Sequence, residues 1–104
     1  MAYQTMKLAS GAEIQTRGRT YEEWEACEAD RLAALDEVNG LADEGKTRQA
    51  ENLVQRRFHE FRGKCLALWV ADWETVKKSL SLRDVAELER RCAELEKEEI
   101  QEKN

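Results

Sequence analysis

This chain lacks proline altogether and has few residues of the kinds that build catalytic and metal sites. It contains one histidine, five glycines and three cysteines among 104 residues. With 38% charged and 41% hydrophobic residues, the composition suits amphipathic helices with solvated faces. Tryptophan, leucine and valine recur at regular spacing, which argues against a disordered chain. The length predicts a single domain, residues 1–104.

Long apolar runs are also missing. The longest uncharged run, Cys65 to Ala71, is far shorter than the roughly 20 apolar residues of a membrane span. The N-terminus has none of the features of a signal peptide, so we expect a cytoplasmic protein. A net charge of −5 disfavours DNA or an anionic membrane as a general partner.

The few cysteines and the single histidine do not form a recognisable chemical site. Cys27, His59, Cys65 and Cys92 contain no pair at the two-to-four-residue spacing of structural zinc sites, so no metal is expected. We interpret the cysteines as buried, free thiols in a reducing cytoplasm. The sequence has no glycine-rich phosphate loop and no paired-carboxylate constellation, which predicts a protein that is not an enzyme and needs no cofactor.

The most apolar segment is residues 53–73, which predicts a central helix. It carries both phenylalanines and two of the three tryptophans. One helical stripe includes Leu53, Val54, Phe58, Phe61, Cys65, Leu68 and Trp69. Trp69 is expected in the core. From about Cys65 onward the segment is apolar on most sides and must be covered by neighbours or by another subunit.

The N-terminus has the pattern of a β-hairpin. Apolar and polar residues alternate on both sides of Ser10-Gly11, and Leu8 and Ile14 would share the buried face. Because a lone hairpin is marginally stable, it must pack on a helix or pair with another sheet edge.

Capping signals mark the helices. Thr20 with Glu23, and Ser81 with Asp84, have the spacing of capping boxes. The predicted fold is mainly α, with about three amphipathic helices around the central one and a short N-terminal hairpin. The expected ranges are 1–17 for the hairpin, 20–39, 48–73 and 82–97 for helices, and 98–104 for a frayed tail, with Asn39-Gly40 ending the first helix.

Some apolar residues exceed what one central stripe requires. Three tryptophans are many for so small a domain, and tryptophan is enriched at interfaces. We predict that a partner protein contacts Trp24, Leu66, Val70 and Trp73.

Two alternatives remain open. A nucleic-acid-associated regulator would use the basic patch of Arg56, Arg57, Arg62 and Lys64, which interleaves with two phenylalanines. A helical protein–protein adaptor would use one face of the last helix, namely Val85, Leu88, Cys92 and Leu95.

Three motifs carry a family resemblance. They are residues 7–14 (KLASGAEI), residues 19–23 (RTYEE) and residues 80–88 (LSLRDVAEL). In this order they resemble the opening hairpin, the first helix entry and the last helix start of small tail assembly chaperones of long-tailed bacteriophages. The motifs cover both ends of the chain and leave its middle unmatched.

The resemblance implies a function. Members of that family coat the tape measure protein, keep it soluble and help recruit tail tube subunits. It also implies a mainly helical fold and self-association as a homo-oligomer, in the host cytoplasm if the chain is phage-encoded. The exposed edge of the hairpin would offer main-chain groups for self-pairing.

Overall fold

The structure, a computed structural model, describes residues 2–103 and confirms a mainly helical fold with an N-terminal hairpin. Across these residues the chain forms two strands and four α-helices. They are β1 (Gln4–Lys7), β2 (Glu13–Thr16), α1 (Tyr21–Asp43), α2 (Thr47–Trp69), α3 (Trp73–Val76) and α4 (Leu82–Lys103). A 3₁₀ turn, Lys77–Ser79, follows α3.

These elements fold into two compact units. Unit 1 combines Met1–Arg19 with Leu66–Asn104, and unit 2 is Thr20–Cys65. Unit 1 therefore holds the hairpin, α3, α4 and the last residues of α2. Unit 2 holds α1 and most of α2.

The hairpin has the predicted buried face. Its strands pair antiparallel, with Met6 opposite Ile14. Met6, Leu8 and Ile14 are all buried in unit 1. At the turn, the N–H of Gly11 donates to the carbonyl of Leu8 at 2.9 Å. Gly11 has a φ of 97°, a conformation that glycine adopts without the steric cost other residues meet.

Helix α2 ends at Trp69, before the expected end at residue 73. Val70 instead forms an antiparallel bridge with Thr16. The carbonyl of Trp69 and the N–H of Ala71 both bond to backbone groups at the end of β2. The predicted boundary was wrong because these backbone groups form hydrogen bonds with the hairpin and do not continue the helix.

Helix α1 was expected to end at Gly40, but it continues past this residue. The chain leaves the helix at Gly45, whose φ is 77°. The N–H of Gly45 donates to the carbonyl of Ala42 at 3.0 Å, and the N–H of Lys46 donates to that of Leu41 at 2.9 Å. These two bonds form a Schellman motif, which is a stronger stop than a glycine inside the helix.

Both predicted capping boxes are present. The N–H of Glu23 donates to Thr20 Oγ1 at 3.1 Å, and the N–H of Thr20 donates to the Glu23 carboxylate at 2.9 Å. Ser81 and Asp84 exchange the same pair of bonds, each 3.1 Å long. Hydrogen bonds from the Ser10 hydroxyl and from Ser81 hold the pKa of Asp84 below its usual value.

The tail that was expected to fray is helical as far as the structure describes it. Helix α4 continues through residues 98–103, and Asn104 lies outside the described residues. Apart from Ile100, this segment consists of glutamate, lysine and glutamine, and all three are good helix formers. The predicted fraying was inferred from the end of the apolar stripe and gave helix propensity too little weight.

Candidate protein-binding surfaces

The structure separates the four predicted partner-binding residues. Trp24 is 42% exposed on α1 in unit 2. Leu66, Val70 and Trp73 are 3%, 1% and 8% exposed and belong to the core of unit 1. The expectation that these three are free to face a partner is corrected, because the hairpin needs apolar groups beneath it and Val70 pairs directly with β2.

A polar cluster in unit 1 joins the end of the hairpin to α4. The guanidinium and the backbone N–H of Arg19 donate to the carboxylate of Glu96, the shortest bond being 2.7 Å from Nη2. Trp69 Nε1 donates to the same carboxylate at 2.8 Å. The Arg19 guanidinium also lies 4.7 Å from the centroid of the Trp69 ring. Trp69 is buried, as predicted.

This cluster sets the ionisation of Glu96. Burial alone would raise the pKa of this carboxyl. The hydrogen bonds from Arg19 and Trp69, together with the charge of Arg19, outweigh burial and hold the pKa of Glu96 below its ordinary value. The carboxylate therefore forms an ion pair that stabilises unit 1, and it is poorly placed to act as a general acid or base.

Unit 2 carries an exposed row of large apolar side chains, which we call the α1 stripe. It comprises Tyr21, Trp24, Leu32 and Leu35, which are 72%, 42%, 53% and 40% exposed. At 3.6 residues per turn, the four positions lie within about 80° of the helix circumference. The rings of Tyr21 and Trp24 are 5.7 Å apart between centroids. An exposed row of this kind is unusual in a short chain and indicates an interaction surface.

The α1 stripe lies on a strongly acidic helix. Helix α1 has eight acidic residues and only one basic residue, Arg31, a net charge of −7. Helix α2 has the opposite balance, with five basic and two acidic residues, a net charge of +3. The acidic residues of α1 are Glu22, Glu23, Glu25, Glu28, Asp30, Asp36, Glu37 and Asp43.

A groove of about 440 Å³ opens between α1 and α2 within unit 2. We call it the α1–α2 groove. Two ion pairs, Asp30 with Lys64 and Glu37 with Arg57, join the helices along it. Its apolar lining consists of Ala33, Ala34, Leu35, Val38, Val54, Phe58 and Phe61.

Two groove residues were expected on the buried stripe of the central helix. Phe58 is 61% exposed and Val54 is 37% exposed. The opposing helix presents Ala33 and Ala34 at the groove, and methyl groups are too small to cover a phenyl ring. Phe61 is half-buried and Leu53 is buried, so the stripe is only partly covered in unit 2.

Two of the four residues in the basic patch of the nucleic-acid alternative pair with acids of unit 2. Arg57 contacts Glu37 and Glu60, both at 3.1 Å, and Lys64 pairs with Asp30. The hydrogen bond and charge of Glu37 raise the pKa of Arg57 further. These pairs reduce the positive charge that the patch would offer to a phosphate backbone.

The adaptor alternative placed a partner on one face of α4. Two residues of that face, Leu88 and Cys92, are 0% and 4% exposed and lie in the core of unit 1. Leu95, at the end of the same face, is 51% exposed. The chain itself therefore occupies the middle of the face that the adaptor interpretation would give to a partner.

The three cysteines are free and buried, as predicted. Burial raises the pKa of the Cys92 thiol to about 11, with a smaller contribution from Glu96. Residues 2–103 contain no group of three or more histidine, cysteine, aspartate or glutamate side chains placed to hold a metal ion. No helix in the described part of the chain combines the length and hydrophobicity needed to cross a bilayer.

Comparison of the chain with protein-family models, curated proteins and solved structures finds no match. The resemblance to tail assembly chaperones thus rests on the three sequence motifs. In the structure, the first motif forms the hairpin turn, and the other two form the capping boxes of α1 and α4. These are structural roles, and Tyr21 of the second motif also belongs to the exposed α1 stripe.

Sequence reasoning found Trp24 but missed Tyr21, Leu32, Leu35 and the exposure of Phe58. A signal was present in the spacing of α1. Cys27, Ala34 and Val38 lie beside the α1 stripe, and together they form one apolar face about 160° wide. A face this wide is broader than one neighbouring helix covers, so part of it stays exposed.

Proposed function

We propose that this chain is a non-enzymatic protein that binds an apolar helical segment of a partner protein along the α1 stripe. The observation that carries the proposal is the exposure of Tyr21, Trp24, Leu32 and Leu35 on a helix of net charge −7. An acidic surround selects a partner segment with lysine or arginine beside its apolar face.

The chemistry of the stripe suits tight contact with a helix. Tyrosine and tryptophan are the residues most enriched among binding hot spots, because they bury a large rigid area at low entropic cost. A partner helix that lies along α1 would cover its aromatic pair and both leucines. The acidic residues between them keep the free protein soluble while the stripe is exposed.

The motif resemblance suggests which partner this is. In the tail assembly chaperones it is the tape measure protein, a long helical protein that must be kept soluble before the tail is built, and tail tube subunits are recruited to the complex. We propose the same role here, in the cytoplasm, where three free thiols remain reduced. Catalysis has no part in this proposal, since the perturbed carboxyls Asp84 and Glu96 serve a helix cap and an ion pair.

Co-expression with the tail proteins encoded beside this chain tests the proposal. The wild-type chain should keep the tape measure protein in the soluble fraction and co-purify with it. Trp24→Ala should weaken this complex by about 30-fold or more, the loss typical of a hot-spot residue. Leu82→Ala is the matched control, because Leu82 is 91% exposed and belongs to unit 1, whereas the α1 stripe belongs to unit 2.

Two outcomes would contradict the proposal. One is a tape measure protein that stays insoluble with the wild-type chain. The other is a complex that Trp24→Ala and Leu82→Ala weaken equally. Tight, salt-sensitive binding of the purified chain to DNA would instead favour the nucleic-acid alternative.

A further inference from the structure

The eight acidic residues of α1 fall into two groups of four. In the first group, every carboxylate already has a partner in the chain. One belongs to the capping box of α1, one pairs with Arg31 of the same helix at 2.9 Å, and two pair with basic residues of α2. Because these charges are already neutralised, they contribute little to the field that a partner protein meets. The four residues are Glu23, Glu28, Asp30 and Glu37.

The second group consists of exposed acids, which we call the acidic row. They are Glu22, Glu25, Asp36 and Asp43. Within residues 2–103, none of them forms an ion pair or a side-chain hydrogen bond. At about 100° per residue, the four positions lie within an arc of about 60° of the helix circumference. This arc begins about 20° beyond Leu32, so the acidic row directly borders the α1 stripe on one side.

The opposite border of the α1 stripe has a different character. Arg31 lies there, about 20° beyond Trp24, and its guanidinium donates two hydrogen bonds to Glu28. Further round the helix, Val38 lines the α1–α2 groove, so this border faces α2. Unneutralised negative charge therefore borders the α1 stripe on one side only.

We infer that the partner segment is an amphipathic helix whose lysine or arginine residues follow one border of its apolar face and are absent from the other border. The basic border lies against the acidic row, and the apolar face covers the α1 stripe. This inference rests on the proposed function and adds the charge pattern of the partner. Charge pairs along one border fix the register and direction of the docked helix, because a shifted or reversed helix loses them.

The lengths of the α1 stripe and the acidic row set the length of the partner helix. From Tyr21 to Leu35 the stripe extends about 21 Å along the axis, at about 1.5 Å per residue. From Glu22 to Asp43 the acidic row extends about 32 Å. A partner helix of about four turns covers the stripe, and one of about six turns meets the whole row.

The acidic row also argues against other occupants of the α1 stripe. A nucleic acid would be repelled by four unneutralised carboxylates. A second copy of this chain carries a net charge of −5, so its approach to this side of α1 is opposed as well. A basic helix of another protein meets attraction instead.

Two synthetic helical peptides of identical composition test the inference. Both carry a leucine stripe and the same number of lysines. In the border peptide the lysines follow one side of the stripe, whereas in the far-side peptide they lie opposite it. Both peptides have the same net charge, so general attraction to a chain of net charge −5 is matched. Isothermal titration calorimetry with the full chain should show at least tenfold tighter binding of the border peptide.

Neutralisation of the acidic row tests its part in this preference. Glu25→Gln combined with Asp36→Asn should reduce the preference for the border peptide to about twofold. The matched control is Glu13→Gln combined with Glu98→Gln, which removes the same charge from exposed acids of unit 1. It should leave the preference unchanged. The preference is a ratio of two affinities of one protein, so a partly unfolded variant lowers both affinities and leaves the ratio intact.

The outcomes distinguish this inference from the proposed function. Equal affinity of the wild type for both peptides would overturn the inference and leave the α1 stripe as a binding surface. Binding of neither peptide would overturn the proposed function as well. A preference that survives neutralisation of the acidic row would show that other charges cause it. Self-association of the purified chain that Trp24→Ala abolishes would place a second copy on the stripe, contrary to the inference.

Discussion

At the scale of single residues, Glu96 makes the sharpest prediction. Glu96→Gln removes the charge that Arg19 and Trp69 contact and should lower the free energy of unfolding by about 1.5–3 kcal/mol at neutral pH, the range for a hydrogen bond to a charged group. Its side chain is 16% exposed, so solvent screens the pair only partly. Denaturant unfolding of the two proteins measures the difference.

The pH dependence of this difference has a definite sign. The folded state lowers the pKa of Glu96 below its ordinary 4.5. Its stabilising contribution is therefore complete above about pH 4.5 and is lost as the pH falls through the lowered folded-state pKa. The gap between wild type and Glu96→Gln should narrow in acid. A gap that stays constant down to the lowest pH at which both fold would contradict the assignment.

Residue-scale features were the most predictable from sequence. The boxes at Thr20 and Ser81 use partners only three residues away, so local spacing was sufficient. The pairing of Glu96 with Arg19 was not foreseen. It joins positions far apart in sequence, and neither residue stands out on its own helix or loop.

At the scale of elements, the glycines of α2 and of the α1–α2 connection should respond in opposite ways. Gly63 lies inside α2, and an added Cβ would meet no atom within 4 Å. Gly63→Ala should raise the free energy of unfolding by about 1 kcal/mol, because alanine is the better helix former.

Gly45→Ala provides the contrasting variant. Gly45 also has open space around it, but its φ is 77°, which costs an L-residue about 1–2 kcal/mol. This substitution should therefore destabilise the chain. Denaturant melts measure both changes. Equal shifts in the same direction would mean that backbone conformation does not govern these two positions.

Element boundaries were predictable only where the stop is local. The end of α1 depends on the αL conformation of Gly45, and the sequence also offered Gly40 as a competing stop. The end of α2 depends on Thr16, which pairs with Val70 across a large sequence separation. No reading of residues near Val70 reveals that pairing.

At the scale of the whole molecule, the buried thiols report on how the chain opens. Cys27 and Cys65 lie in unit 2 and Cys92 in unit 1. In the native protein all three should resist an alkylating reagent, and the pKa of about 11 further limits the thiolate at Cys92. After exposure to the alkylating reagent for increasing times, mass spectrometry of each cysteine measures how readily the structure around it opens.

The labelling rates of the three thiols test the prediction, made from the sequence, that the chain is a single domain. One cooperative domain predicts the same opening free energy at all three cysteines. Rapid labelling of Cys27 and Cys65 while Cys92 stays protected would instead mean that unit 2 opens alone. Ready labelling of any thiol without denaturant would contradict its burial.

The binding surface was the least predictable feature at this scale. The sequence placed Trp69 correctly in the core, but it did not distinguish the exposed Trp24 from Trp73, which is buried. Exposure depends on what covers a side chain, and the cover over Val70 is a hairpin from the other end of the chain. Likewise, Phe58 lies on a regular stripe, and its exposure depends on the size of the facing side chains, two of which are alanines.

The bridge between Thr16 and Val70 also bears on how the protein matures as it is made. Ribosomes release a chain from its N-terminus at about 5–20 residues per second, and the hairpin therefore emerges before the segments it contacts. On its own it is only marginally stable, and its partners Val70 and Glu96 are not yet synthesised. Unit 2 is contiguous in sequence and can pair its helices meanwhile. The hairpin thus precedes unit 2 in synthesis but reaches its native contacts after it.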